Sequence, residues 1–299
     1  MVGEVRIVAI IQTYNEQRFI GGCLAHLEQQ GILAYLVDNE SSDETVAIAE
    51  RHLAGNLVGI ESLPRDGNYS QRRQLTRKEE LARSLEADWF IHLDADERRV
   101  ASERGRTLAQ ALAEADEAGF NAVNFLEFTF VPTREAPDHD HPDYERTMRS
   151  YYPFLPRFPH RLNAWKRQDG PVALTPSGGH VIRFPGLRMA PQSLYSRHYL
   201  FLNSEHAARK FGPGRYAPEE VEQGWHEWRA KMDAALIELP SERELRHYEA
   251  DHLLDPSRPR KQHIAEQWAP QDSLVKRLKR AARRRRRKLP RASEAGSSA

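Results

Sequence analysis

The feature that most restricts the fold is an alternation at the start of the chain, where short apolar runs end in polar clusters and are separated by segments of helical periodicity. Val5 to Ile11 (VRIVAII) is nearly continuous in apolar side chains, the pattern of a strand buried on both faces, and Thr13-Tyr14-Asn15-Glu16 follows closely. Phe19, Ile20, Cys23, Leu24 and Leu27 recur at helical spacing up to Gly31, which is placed for a C-cap. Ile32 to Val37 is a second apolar run that closes on Asp38. Ser41 and Glu44 have capping-box spacing and predict a helix through about residue 52. Leu57 to Ile60 reads as a third strand, residues 70–86 as a basic helix, and Trp89 to Leu93 as a fourth strand ending in Asp94-Ala95-Asp96-Glu97.

This order predicts an α/β fold whose strands are mainly parallel, with right-handed crossovers and helices covering the sheet. Such sheets bind ligands at the carboxyl ends of their strands, so residues 13–16, 38–41 and 94–97 are predicted to converge on one site. Downstream, a helix is expected at about 103–117. Leu126, Phe128 and Phe130 alternate with polar residues as in a half-buried strand, and 132–160 reads as a long loop. Residues 179–184 and 193–201 are strand-like, and helices are expected over about 204–211 and 218–239. No internal repeat is present.

Composition excludes whole classes. Of 299 residues, 39% are hydrophobic and 29% charged, which rules out fibrous and wholly disordered chains. A single cysteine, Cys23, rules out an intramolecular disulfide framework, and its helical spacing makes it a buried helix residue. No apolar run reaches the roughly 18 residues that span a bilayer, and no basic-then-apolar leader opens the sequence; a cytoplasmic protein is expected. The net charge of +1 conceals an asymmetry. Residues 271–299 hold eleven Lys/Arg and two acids, a net of +9, and the remaining 33 basic and 41 acidic residues leave the body at −8. That tail is expected to be disordered, with Leu274, Val275 and Leu278 spaced for a short amphipathic helix against anionic lipid at the inner face of the plasma membrane. No specific nucleic-acid partner is expected.

Two aspartates one residue apart at a strand end make a hard-cation site, because carboxylates suit Mg²⁺ or Mn²⁺, which in turn grip a diphosphate. Asp38 is placed either to accept a hydrogen bond from a base or ribose, or to close an ordinary Asx turn. Arg73 and Arg77, one helical turn apart, are placed either to offset diphosphate charge or as a solvated basic face.

The segments VAIIQTYNEQRFIGGCLAHL, LVDNESSDETVAIAE and ADWFIHLDADE together resemble the nucleotide-sugar-binding half of glycosyltransferase family 2, with its GT-A fold and DxD motif. The resemblance is dense over residues 5–100 and thins toward about 230, where SRHYLFLNSEHAARKF and GWHEWR resemble the later part of some bacterial members. It implies a Rossmann-like mixed, mainly parallel sheet. The domain layout expected from it is a GT-A domain over 1–215 (nucleotide-sugar half 1–100, acceptor half 101–215), a helical extension over 216–270 and the basic tail. It implies that Thr13, Tyr14 and Glu16 line the nucleotide pocket, that Asp38 reads the base, that Asp94 lies near the ribose and that Asp96 binds Mn²⁺ or Mg²⁺. Asn39 and Glu40 stand where many relatives carry Asp and Gly, which leaves the base open. His198 resembles the late histidine that supplies a third metal ligand in several GT-A enzymes; a structural histidine is the competing reading.

The activity implied is a metal-dependent, inverting transfer from a nucleoside-diphosphate sugar, UDP favoured over GDP, to a hydroxyl on a glycan or lipid-linked acceptor of the cell envelope. The acidic pair that usually supplies the base is missing beyond the DxD, so Asp169 and His180 are the candidate bases and Glu97 the third. Trp165, Trp225 and Trp228 are read as packing residues rather than as a sugar-stacking platform. A haloacid-dehalogenase-like phosphatase is disfavoured because two strand–helix units precede the DxD. A Rossmann oxidoreductase or a nucleotidyltransferase is disfavoured because TYNEQR lacks a glycine-rich loop. The competing class is a GT-A-like binding or scaffold protein with a basic tail that grips membrane or nucleic acid, without efficient transfer.

Overall fold

The computed structural model describes residues 5–212, 214, 216–226, 228–249 and 253–270. The first part alternates as its periodicity predicts: β1 (Ile7–Thr13), α1 (Ile20–Gln29), β2 (Leu33–Asp38), α2 (Thr45–Glu50), β3 (Leu57–Ser62), α3 (Gln71–Ser84) and β4 (Trp89–Asp94). Then come β5 (Glu97–Val100), α4 (Leu108–Glu117), β6 (Ala122–Phe130), α5 (Tyr144–Thr147), β7 (Ser150–Phe154) and β8 (Arg161–Lys166). The remainder holds β9 (Leu194–Tyr199), α6 (Ser204–Phe211), α7 (Pro218–Glu222), β10 (Arg246–His247) and several 3₁₀ turns.

The main sheet runs β10-β7-β6-β8-β4-β1-β2-β3, with β9 pairing with both β6 and β5. Strands β1 to β4 are parallel, while β8 runs antiparallel to β4 and to β6, so the sheet changes character at β4. The continuous apolar run of β1 serves two cores. Ile7, Ala9 and Ile11 join Leu24 and Leu27 of α1 on one face, and Val8 and Ile10 join Leu75 and Leu81 of α3 on the other. Each Val, Leu or Ile side chain among these contributes about 1.5–3 kcal/mol by leaving water. A third core gathers Val131, Tyr152, Phe154, Phe201, Phe211, Ile264 and Trp268.

The departures from expectation have local causes. Helix α2 begins at Thr45 rather than at the capping-box position, because the Ser41 hydroxyl donates to Asp38 and the Thr45 amide is held by Asp43. The expected 132–160 loop contains α5 and β7, and it leads into β8, whose Arg161 and Asn163 are buried polar residues that break an apolar signature. The strand-like stretch 179–184 forms only isolated bridges, Val181 to Leu162 and Arg183 to Ala173. The expected helix over 218–239 stops at Glu222; Gly224, at φ +83°, turns the backbone, and 3₁₀ turns follow. Among the described residues of 216–270 there is no continuous helical extension: β10 hydrogen-bonds β7, and Ile264 and Trp268 complete the third core. Among the described residues no helix is long and apolar enough to cross a membrane. The basic stretch 271–299 lies outside the described residues.

Candidate active site

At the carboxyl ends of β1 and β2, Thr13 and Asp38 are opposite each other in register, and the Thr13 hydroxyl donates to Asp38 at 3.0 Å. Asp38 also accepts from the Ser41 amide at 2.8 Å and the Ser41 hydroxyl at 2.6 Å, so this buried carboxylate closes the Asx turn and fixes the 38–41 loop. Asn15 accepts from the Ser42 amide, binding the first-strand loop to the second. Tyr14 is exposed, and the Arg65 guanidinium stacks 3.5 Å from its ring centroid. Thr13 and Asp38 thus meet, while Tyr14 lies against Arg65 and the Glu16 side chain stands near Lys210.

Arg73 and Arg77 do not join the carboxylates of β4. Arg73 is paired with Asp66 at 2.5 Å in the loop after β3, and Arg77 grips Glu61 of β3 and Glu80. A different cation does reach β4. Lys78, fully buried, donates to the Leu93 carbonyl at 3.1 Å and lies 2.8 Å from His92 Nδ1; burial pulls its ammonium down to about 8. Its spacing with Gln74, Leu75 and Leu81, all on the buried stripe of α3, is the sequence signal that marks it.

Asp94 carries a buried oxygen, Oδ1, with no hydrogen-bond partner among the described residues, an acceptor suited to a ligand hydroxyl. Burial raises its carboxyl, Glu97 adds to the rise, and Lys78 opposes it. Asp96 Oδ2 takes two cations, Lys210 at 2.5 Å and His198 Nε2 at 3.1 Å, which overcome burial and hold it well below the usual carboxylate range. Glu16 stands 3.9 Å from the Lys210 ammonium; burial lifts its carboxyl to about 7 against the pull of Lys210, with Asp96 and Asp94 adding to the rise.

Behind Asp96 lies a buried cluster whose centre, Glu127 of β6, the sequence did not single out. His198 Nδ1 is 2.7 Å from Glu127 and Arg161 Nε 2.8 Å, while His263 and His160 each stand 3.7 Å away. His263 comes from the C-terminal segment, stacks on Phe154 and meets the Tyr152 hydroxyl. His198 is protonated to about pH 10, because Asp96 and Glu127 together outweigh its burial.

The candidate bases separate. His180 joins this cluster, stacked on His160 with its Nδ1 3.2 Å from Arg161 Nη1. Arginine only donates, so Nδ1 accepts and Nε2 carries the hydrogen; neutral His180 offers a donor here, and burial holds its basicity well below normal. Asp169 is exposed just beyond β8, which runs antiparallel to β4 and ends beside Trp89, opposite the end that carries Asp94. The structure thus removes Asp169 from the site. Glu97 is buried, paired with Arg99 at 2.7 Å.

The packing expectations hold for Trp165 and Trp228, while the Trp225 ring lies under the Arg72 guanidinium, 5.2 Å from its centroid. Trp165 is fully buried against Phe90 and forms no platform, and Trp228 packs on Phe211. Cys23 is buried and its thiol pushed up to about 12. His206 accepts the Leu202 amide, and His226 stacks on Tyr216.

Two donor sets bear on a divalent cation. Glu127, His198 and His263 offer ligand atoms that all lie within 4.8 Å of one another, a spacing that can hold an ion. At Asp96 one carboxylate oxygen, Oδ2, is already taken by the Lys210 ammonium and His198 Nε2, so an ion there would compete with a resident cation.

A parallel β1–β4 unit carrying Asp-Ala-Asp at the end of β4, where the sheet turns antiparallel, defines a GT-A-type nucleotide-sugar fold. The chain belongs to glycosyl transferase family 2, whose sequence profile matches residues 8–164. No curated protein matches it in sequence. Among solved structures, S. aureus TarS is similar with 15% identity and a TM-score of 0.42, over 73% of this chain and 42% of that one; this chain thus spans less than half of that protein. The mannosyltransferase PcManGT from Pyrobaculum calidifontis, solved with GDP-Man and Mn²⁺, is similar with 18% identity and a TM-score of 0.41, over 70% and 61% of the two chains. A shorter TarS, residues 1–349 with UDP-GlcNAc, has 12% identity and a TM-score of 0.41, over 76% and 70%.

Proposed function

We propose that the protein transfers a sugar from a nucleoside-diphosphate sugar to a hydroxyl acceptor. The observation that carries this is the meeting of Thr13, Asp38 and the Asp94–Asp96 pair at the carboxyl ends of three adjacent parallel strands in a family 2 chain. The exposed Tyr14–Arg65 stack offers a flat face to the base, and the orphaned Asp94 oxygen accepts a ribose hydroxyl.

Transfer is a single displacement with inversion. The acceptor oxygen forms its bond to the anomeric carbon as the bond from that carbon to the β-phosphate oxygen breaks, and that oxygen keeps the electron pair. The acceptor's proton passes to a carboxylate. Glu16 is the group we assign, because its proton affinity near neutrality suits a general base and its side chain keeps 19% exposure. His180 positions the acceptor through its Nε2 hydrogen. A UDP-sugar is the favoured donor, and the acceptor is a glycan or lipid-linked glycan of the envelope. The metal dependence implied by the DxD motif is the part of the sequence reading that Lys210 opposes.

The test is a thermal-shift panel of UDP, GDP, CDP and dTDP on wild type and Asp94→Ala. A ligand that binds the folded state raises its stability by mass action. Stabilisation by one nucleotide, lost in the variant, is expected; no response to any of the four sinks the reading. Peripheral attachment through 271–299 belongs to the same reading, and equal flotation of the full chain and a 1–270 truncation with anionic vesicles refutes it.

A further inference from the structure

We propose that the Lys210 ammonium is this protein's own cation at the DxD carboxylate and that it neutralises the leaving diphosphate in place of a divalent ion at Asp96. The inference rests on the nucleotide-sugar reading above and adds to it the residue that receives the departing charge.

The placement is built rather than incidental. Helix α6 is capped by Asn203, whose side chain accepts the His206 amide, and is anchored by the buried Ala207 and Phe211. Its last turn directs Lys210 across the Phe19 ring, 4.9 Å from the centroid, to Asp96 at 2.5 Å and Glu16 at 3.9 Å. The groups around the ammonium are those two carboxylates, with His198 sharing the same Asp96 oxygen and with Arg229 and His206 near enough to interact with its charge. Asp96 keeps only 6% side-chain exposure against 18% for Lys210, so an anion arriving from solvent meets the more open ammonium before the carboxylate.

Charge and geometry then work together. A hard ion such as Mg²⁺ needs carboxylate oxygen at about 2.0–2.1 Å and is repelled by an ammonium seated on the same carboxylate. The surrounding acids are also matched. Arg161 pairs with Glu127 and Glu97, Arg99 with Glu97, and the Lys78 charge acts on Asp94, so much of the surrounding negative charge is already met within the protein. An ammonium has three N–H donors. Asp96 engages one, which leaves donors for the β-phosphate oxygen as its bond to the anomeric carbon breaks and it takes the electron pair, while the acceptor's proton leaves to Glu16.

The experiment pairs two readouts on wild type, Lys210→Met and Lys210→Arg. Calorimetric titration with UDP and with GDP is run in EDTA and in Mn²⁺, and Mn²⁺ binding is followed by electron paramagnetic resonance without nucleotide. Wild type is expected to bind one of the two nucleotides in EDTA with little change on adding Mn²⁺. Lys210→Met is expected to bind it about tenfold more weakly in EDTA, Lys210→Arg to retain most of the affinity, and the methionine variant to take up Mn²⁺ more tightly than wild type. Nucleotide binding by wild type that requires Mn²⁺ overturns the proposal, as does a methionine variant with no gain in Mn²⁺ affinity. If wild type binds neither nucleotide under either condition, the nucleotide-sugar reading fails separately, and the Mn²⁺ comparison alone decides whether Lys210 holds the cation position.

Discussion

Arg161 joins two carboxylates that lie on different strands, with Nε 2.8 Å from Glu127 on β6 and Nη2 3.5 Å from Glu97 on β5. Both acids and the arginine are buried, and each acid has a second cation, Arg99 on Glu97 and His198 on Glu127, whereas the arginine has these two carboxylates. Removing one partner of a buried pair leaves an uncompensated charge, a loss of about 3–5 kcal/mol, whereas replacing the pair by apolar groups of similar volume is often near neutral. Arg161→Met is therefore expected to lower stability by about that amount, and the double variant Arg161→Met/Glu127→Leu to recover part of it. Denaturant unfolding of the two checks this; a loss under about 1 kcal/mol for the single variant contradicts the pairing.

His198 makes a pH prediction of definite sign. Its folded pKa stands near 10, above the ordinary 6.5, because Asp96 and Glu127 overcome its burial. A group with a raised folded pKa contributes stability that is fully present below its unfolded pKa and is lost as pH rises through the folded one. The window here runs from about 6.5 to about 10. His198→Gln lacks the charge, so the gap in melting temperature between wild type and variant is expected to be widest at pH 6 and to narrow toward pH 10. Several buried histidines shift the other way, which is why the difference between the two proteins, rather than either curve alone, is the reading. A gap that stays constant with pH rejects the ionic role.

Glu16 makes a kinetic one. Burial lifts its carboxyl to about 7, and a general base must be deprotonated to act. The kcat/KM profile for transfer is expected to rise through about pH 7 and then level. Glu16→Gln is expected to lose about 10²–10⁴-fold in kcat and the ascending limb with it. If the glutamine variant keeps both its rate and that limb, the proton goes elsewhere.

Part of this site was legible because its logic is local. Apolar runs ending in Thr13, Asp38 and Asp94 identify strand ends by themselves, and parallel packing of those strands brings them together without any knowledge of the remaining chain. His198 was placed near the metal position by resemblance, and it does reach Asp96, through the β5–β9 ladder that sets it opposite Glu97. Glu127 and His263 were hidden because their partnership is long-range. Glu127 sits in an alternating strand as an ordinary polar position, and His263 reaches it only because Ile264 and Trp268 bury themselves in the third core. Asp169 misled because a QDG turn before glycines resembles a catalytic loop, whereas β8 runs antiparallel to β4 and carries it to the far end of the sheet. Lys210, four residues after His206 in α6, has no distinguishing local pattern.

The close passage of the 178–180 turn over β4 yields the last prediction. Gly179 adopts φ +87°, a backbone conformation that a side chain makes costly, and a Cβ there would stand 2.6 Å from His92 Nε2 and 3.0 Å from Leu75 Cδ2. His92 is unable to yield freely, because its other ring nitrogen contacts the buried Lys78 ammonium at 2.8 Å. Gly178 also has positive φ, but a Cβ on it meets nothing closer than 3.7 Å. Gly178→Ala therefore carries the backbone strain alone, about 1 kcal/mol, whereas Gly179→Ala adds a collision and should cost about 1–3 kcal/mol more. The added displacement is expected to reach the adjacent His180 and raise KM for the acceptor more than for the donor. Equal stability of the two variants by thermal unfolding, or a KM change confined to the donor, would show that the turn does not brace the acceptor side of the site.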